Sequence, residues 1–344
     1  MKLNRTLAVI AAVLVAASIW TYRASVDRGE RFERGQRFLP NLNPDAVAEI
    51  VLAKGDDHVT LKRGDDGFTV ADADGYPAAN EAVNRVLRSL VDLELEKKVG
   101  TGDDLYRELG LTTDSPDMIE IALLDASGQD MVRLRIGKPF PDGDGTYLRR
   151  LDGDGGPAYL STRRVTLSTS TDTYLAKEIV NVSQDDIESI EGPDYSITRT
   201  GGELELDGVP RGRKAKTAEV GRVKRVLSPL RFDRVFLADD PAVARLPFAQ
   251  VLDVRLADGS GYRVALAEGD DGPYAQIAGY HTVNRVSVER DETETELEGK
   301  AEILARANEI TKFNRFHGSW VYKVSTTTGD ALGFRMADLT EPAG

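Results

Sequence analysis

Asp-Gly pairs are the most frequent arrangement in the chain that could do chemistry: Asp66-Gly67, Asp74-Gly75, Asp142-Gly143, Asp144-Gly145, Asp152-Gly153, Asp154-Gly155, Asp207-Gly208, Asp258-Gly259 and Asp271-Gly272. Carboxylates clustered on a glycine turn supply hard oxygen ligands, so Asp142 with Asp144, or Asp152 with Asp154, are candidates for calcium. An EF-hand loop would also need a bidentate Glu at its twelfth position, and Asp142 to Gly153 has none. The plainer reading is hairpin chemistry. A two-residue turn with positive φ at both positions favours Asp-Gly, and nearly every pair lies between strand-like runs.

Other reactive groups are few. The three histidines, His58, His281 and His317, are too far apart for a helical ligand pair, so a zinc site would need long-range convergence. With no cysteine, disulfides, thiolate metal sites and a cysteine nucleophile are excluded. Gly259-Ser260-Gly261 reads as a turn, matched by Ala126-Ser127-Gly128, and not as a nucleophile elbow. Gly137-Lys138 runs into Pro139 and lacks the glycine and hydroxyl of a phosphate loop. A glycosidase-like acid and base could be drawn from the 57 carboxylates, but such pairs meet only in the fold. No catalytic, cofactor-binding or metal-ligating residue is therefore assigned. The net charge of −13 argues against a phosphate-tracking nucleic-acid surface. Trp320, in His317 to Val324, reads as a core aromatic on a C-terminal strand, with a partner contact as the functional alternative.

The elements around these residues begin with a membrane segment. Leu7 to Tyr22 is apolar apart from Ser18 and Thr21 and follows Lys2 and Arg5. As a helix it would span roughly 24 Å, a minimal bilayer crossing. Trp20 and Tyr22 suit an aromatic belt and favour an uncleaved anchor, while Ala16-Ala17-Ser18 leaves a cleaved signal peptide open. Arg23, Arg28, Arg31, Arg34 and Arg37 outnumber the basic residues before the segment and would hold the bulk of the chain inside. The short basic start behaves like an uncleaved signal and favours export. The expected order is a basic tail (1–6), an anchor (7–22), a charged linker (23–37), a first module (38–180) and a second (181–344) that ends in a strand and a tail helix.

The modules read as an internal duplication with a period of about 135 residues. Ile50 to Leu52, Val59 to Arg63 and Phe68 to Val70 form the strands of a hairpin that leads to a helix; Ile187, Tyr195 to Arg199 and Leu204 to Leu206 take the same places. The helical stripes are Ala82, Val83, Val86, Leu87 and Leu90 in the first, and Val220, Val223, Val226, Leu227 and Leu230 in the second. A second set of alternating strands follows each: Ile119 to Leu123 and Val132 to Ile136, then Val254 to Leu256 and Val264 to Leu266. The fold class is thus α+β, with two tandem repeats of a mostly antiparallel sheet packed with helices. A helical stretch over Arg163 to Ile179 is expected to bridge them. A helix around Glu298 to Ile310, a strand over Phe316 to Val324 and a short amphipathic tail with Leu332, Met336 and Leu339 should close the chain.

These residues resemble a bacterial family known as domain of unknown function 4340. The resemblance rests on the anchor, Phe38-Leu39-Pro40-Asn41-Leu42, the hairpin with Tyr76-Pro77-Ala78-Ala79, the stretch Leu105 to Leu111, and Trp320-Val321-Tyr322. The second copy departs where Ala244 to Phe248 replaces the leucine-glycine-leucine stretch. The resemblance implies a membrane-anchored protein exposed to the periplasm, often encoded beside ABC transporter components of the gliding-motility type, and carries no catalytic residues with it.

The expectation is therefore a non-enzymatic accessory or scaffold protein of an ABC-transporter-associated envelope complex. It would sit in the inner membrane by a single pass, without cofactor or nucleic acid, and would hold protein partners. The rivals are an envelope hydrolase using paired carboxylates, and a calcium- or ligand-binding envelope module. The first predicts two acids converging in a pocket, the second a gathering of Asp142, Asp144, Asp152 and Asp154.

Overall fold

The computed structural model describes residues 34–151, 156–283 and 293–343. The anchor expected at 7–22, most of the linker, and Asp152 and Asp154 lie outside them. Among the described residues no helix is long and apolar enough to cross a membrane. The chain divides into two compact units, one of residues up to Thr69 with Asn80–Thr173, the other of Val70–Ala79 with Tyr174–Gly344. Both are α+β with antiparallel sheets.

In the first unit β1 (Glu49–Lys54), β2 (Asp57–Gly64) and β3 (Gly67–Val70) form a meander, and after β4 (Tyr76–Pro77) helix α1 (Asn80–Val91) begins. Then come β5 (Leu95–Gly100), α2 (Asp103–Glu108), β6 (Ile119–Leu124), β7 (Asp130–Pro139), β8 (Thr146–Arg150) and β9 (Ala158–Ser161). The strands run β3-β2-β1-β6-β7-β8-β9-β5 across the sheet. Period-two alternation sets the faces: Ile50 and Leu52 on β1, Ile121 and Leu123 on β6, and Val132, Leu134 and Ile136 on β7 are all buried. On α1 the expected stripe, Ala82 to Leu90, is the buried face.

The second unit holds β10 (Glu178–Val180), β11 (Ile187–Glu191), β12 (Ser196–Thr200), β13 (Glu203–Leu206), β14 (Arg213–Ala215), α3 (Thr217–Lys224), β15 (Leu230–Arg231) and β16 (Arg234–Leu237). It continues through β17 (Gln250–Leu256), β18 (Ser260–Gly269), β19 (Gly272–His281), α4 (Glu294–His317), β20 (Trp320–Lys323), α5 (Thr326–Gly333), α6 (Met336–Leu339) and β21 (Thr340–Pro342). Its main sheet runs β13-β12-β11-β17-β18-β19-β20-β16, and β21 pairs with β14.

Three expectations are corrected. Residues 163–179 do not form a bridging helix: they are irregular apart from a single turn at Thr171–Thr173 and the start of β10. In this Ser- and Thr-rich stretch side chains compete with the helical ladder, as when Ser168 Oγ accepts the Ser170 amide at 3.2 Å and meets Thr173 Oγ1 at 2.9 Å. Helix α3 stops at Lys224, so Val226, Leu227 and Leu230 are buried from turns and β15 instead of a helical stripe. Pro229 lacks a backbone donor and disfavours helix in the residue before it. Phe316 and His317 end α4, which leaves the last long strand to start at Trp320.

Candidate interaction surfaces

Two aspartates, Asp125 and Asp258, are spent on their own turns. Asp125 Oδ1 accepts from Ser127 N at 2.8 Å, Ser127 Oγ at 2.6 Å and Gln129 N at 3.0 Å. Asp258 Oδ1 repeats the pattern with Ser260 N at 2.8 Å and Ser260 Oγ at 2.6 Å. Hydrogen bonds from Ser127 hold Asp125 below the usual carboxylate range. At Asp258 burial pushes up, but the Ser260 bonds and Arg306 outweigh it and the net displacement is downward. Asp142 and Asp144 are exposed in the connection from β7 to β8. Among the described residues no group of three or more His, Asp or Glu is placed to hold a metal.

The histidines stay apart in role. His58 is exposed on β2, and His281 closes the end of β19, its Nδ1 accepting the Val283 amide at 3.0 Å. His317 is buried at the C-terminal end of α4, 7% exposed, with Nδ1 2.6 Å from Tyr322 Oη. Its ring centroid lies 4.1 Å from that of Phe313 and 4.8 Å from that of Phe316. Trp320 lies in the same packing, its ring edge-on to Tyr76 at 5.0 Å, as a core aromatic. Burial pushes His317 down to about 4 and Tyr76 up to about 12, so both are neutral near pH 7. This is a packed interior, well suited to holding α4 and β20 together.

Two surfaces are open. The first is the outer face of α4. Thr293 and Glu296 make a reciprocal capping box that starts the helix, which then runs for 24 residues. Only Ile310 and His317 on it are buried. Gly299, Ile303 and Arg306 on the inward face are partly covered, while Leu297 (41% exposed) and Leu304 (43%) stand seven residues apart on the outward face with exposed Ala301 between them. Glu294, Glu298 and Glu302 flank this stripe and are exposed.

The second is a groove of about 490 Å³ in the first unit, between the side of α1 and the chain leaving β9. Arg85 and Arg88 line it from the helix, Arg163 and Arg164 from the irregular segment. Sequence reasoning missed this surface because the contributors lie five β-strands and a helix apart in the chain and are interleaved with acids. The Arg163-Arg164 dipeptide is its one local signal.

A family model described as Domain of unknown function (DUF4340) matches residues 68–247, just over half of the chain. No curated protein and no solved structure matches it.

Proposed function

The chain belongs to the family described as Domain of unknown function (DUF4340), and from that premise we propose that it is a non-enzymatic accessory or scaffold protein. In this reading it is anchored in the inner membrane by residues 7–22, its bulk lies in the periplasm, and it serves an ABC-transporter-associated envelope complex. The observation that carries the reading is the outer face of α4. A capped helix whose first half has no fully buried residue, yet turns Leu297 and Leu304 to solvent, is suited to receiving a partner helix. An anchor then matters because confinement near the bilayer raises the effective concentration of a membrane partner without any new contact.

The duplication belongs to the same reading. The orders β3-β2-β1-β6-β7-β8 and β13-β12-β11-β17-β18-β19 correspond strand for strand, and Asp125 and Asp258 make the same turn bonds in each. This correspondence supports two copies of one module, diverged where the second adds α4 and the C-terminal elements.

Affinity capture from detergent-solubilised membranes tests the proposal. The wild-type chain should recover a transporter permease or its ATPase, and a Leu297→Gln/Leu304→Gln variant should recover about tenfold less, as expected for anchor residues at the centre of an interface. Recovery of the anchored protein alone at native levels overturns the reading.

A further inference from the structure

We propose that the arginine-lined groove of the first unit binds an acidic peptide segment, a site separate from the face of α4 and independent of it. On a chain with 57 acidic and 44 basic residues, four guanidinium groups around one concavity of about 490 Å³ stand out. Arg85 is engaged, 3.6 Å from Glu81 one helical turn back. Arg88, Arg163 and Arg164 are exposed and, among the described residues, no ion pair or hydrogen bond holds their guanidinium groups. Arg88 lies in the last turn of α1, where a cation offsets the partial negative charge of the helix end. That accounts for one arginine and leaves Arg163 and Arg164 unexplained.

The ligand class follows from the geometry. The guanidinium fork matches a carboxylate by two parallel hydrogen bonds. Glu81, Asp92 and Glu94 line the same groove, so its positive charge comes as separated points and not as one field. A compact anion placed centrally would meet nearly cancelled charge, whereas an extended chain can set a carboxylate on each arginine and turn its backbone donors to the acids. From Glu81 to Asp92 the helical wall is about 16 Å long, enough for several residues of extended peptide. Segment 162–166 forms the other wall, where Thr166 offers a hydroxyl and the Thr162 hydroxyl donates to Glu94 O at 3.5 Å. Its backbone is held at both ends: Thr162 N donates to Glu94 O at 3.0 Å and Val165 N to Thr146 Oγ1 at 3.1 Å. The backbone that carries Arg163 and Arg164 is therefore fixed before binding, and only their side chains are left to order.

The test is fluorescence anisotropy of a labelled polyglutamate peptide titrated with the full, detergent-solubilised chain. The expected result is saturable binding that weakens as ionic strength rises and falls about tenfold or more in Arg88→Glu/Arg164→Glu. It should persist in Arg211→Glu/Arg245→Glu, which makes the same charge change at exposed positions of the second unit. Should the reversals unfold the chain, Arg163→Gln/Arg164→Gln on the irregular wall serves in their place and is expected to weaken binding in the same direction. Absence of saturable binding, equal loss in the control variant, or displacement of the peptide by inorganic phosphate at matched ionic strength overturns the proposal, the last by showing a general anion site. None of these outcomes bears on capture of a transporter through α4.

Discussion

An imidazole that packs among Phe313, Phe316 and Tyr322 is held neutral, and the proton it refuses has a measurable cost. Burial lowers His317 to about 4, while the unfolded chain offers an imidazole of ordinary pKa, about 6.5. Between those values the unfolded state binds more protons than the folded one. Stability is therefore fully present above about pH 6.5 and is lost as pH falls towards 4, by up to about 3 kcal/mol. The carboxyls held low, Asp125 and Asp258 among them, give up their contribution only as pH falls further. Urea midpoints at pH 7 and pH 4.5 should show the loss for the wild type and a flatter response for His317→Leu, which cannot take up the proton. That variant also costs about 1–3 kcal/mol at pH 7, because Tyr322 Oη loses its 2.6 Å partner. A second buried phenol points the other way. Tyr195 is 6% exposed and, among the described residues, its Oη has no hydrogen-bond partner. Its ring must stay, since it lies directly over Gly192, where an added Cβ would fall 2.1 Å from ring carbon. Tyr195→Phe keeps the ring and removes the orphaned hydroxyl, and should raise the thermal midpoint, by up to about 1 kcal/mol in stability.

At the scale of elements, the fastening of α4 decides whether its outer face can be presented. Strand β19 pairs with β20 only at Tyr274 and Ala275, so further along, at Gly279, its edge is open. Asn314 fills it: Gly279 N donates to Asn314 Oδ1 at 2.7 Å, and Asn314 Nδ2 donates to Gly279 O at 2.8 Å. The side-chain amide stands in for a neighbouring strand. A Cβ at Gly279 would lie 2.9 Å from Ile310 Cδ1 and 3.3 Å from its Cγ2, so the Ile310 side chain would have to shift to admit it. Gly279→Ala is expected to cost about 1–3 kcal/mol through overpacking. Ile310→Val, which removes the offending methyl, should recover part of the loss in a double-mutant cycle; additive costs would show that Ile310 does not set the approach. Much of this scale was legible beforehand. The stripe of α1 and the alternating strands β6, β7, β17 and β18 follow from local periodicity, which burial on one face enforces. What was not legible has a common cause: the elements were shaped by partners distant in sequence. Residues 163–179 read as a bridging helix, but Val165 N and Ser170 N go to the hydroxyls of Thr146 and Ser168, and Ala176 N to Pro77 O. Asn314 looks like any polar helical residue until Gly279 is brought against it, and the groove arginines acquire meaning only when α1 and the exit of β9 meet.

For the molecule as a whole, the division of the chain is not a single cut. Residues 70–79 lie within the sequence of the first half yet count with the second unit, and Tyr76 is the reason. Its ring packs at 5.3 Å from Phe232, 5.6 Å from Phe316, 5.0 Å from Trp320 and 6.3 Å from Tyr322, three of them edge-on. Around it the backbone is tied in as well, with Ala79 N donating to Tyr174 O at 2.6 Å and Ala176 N to Pro77 O at 3.0 Å. Aromatic rings in such contact are worth more than their buried area alone, and removing one from a closed core leaves a cavity the neighbours fill only in part. Tyr76→Ala should therefore destabilise the second unit by about 3–5 kcal/mol, read as an earlier urea transition. It should also change the near-ultraviolet dichroism, where Trp320 has lost its edge-on partner. A fragment starting at Tyr174 carries the same vacancy from the outset, so it should melt below the unit in the full chain, and a peptide of residues 70–79 added in excess should raise its midpoint by mass action. An unchanged midpoint on adding that peptide, together with an unaltered Trp320 signal in Tyr76→Ala, would show that the second unit closes without its borrowed strand.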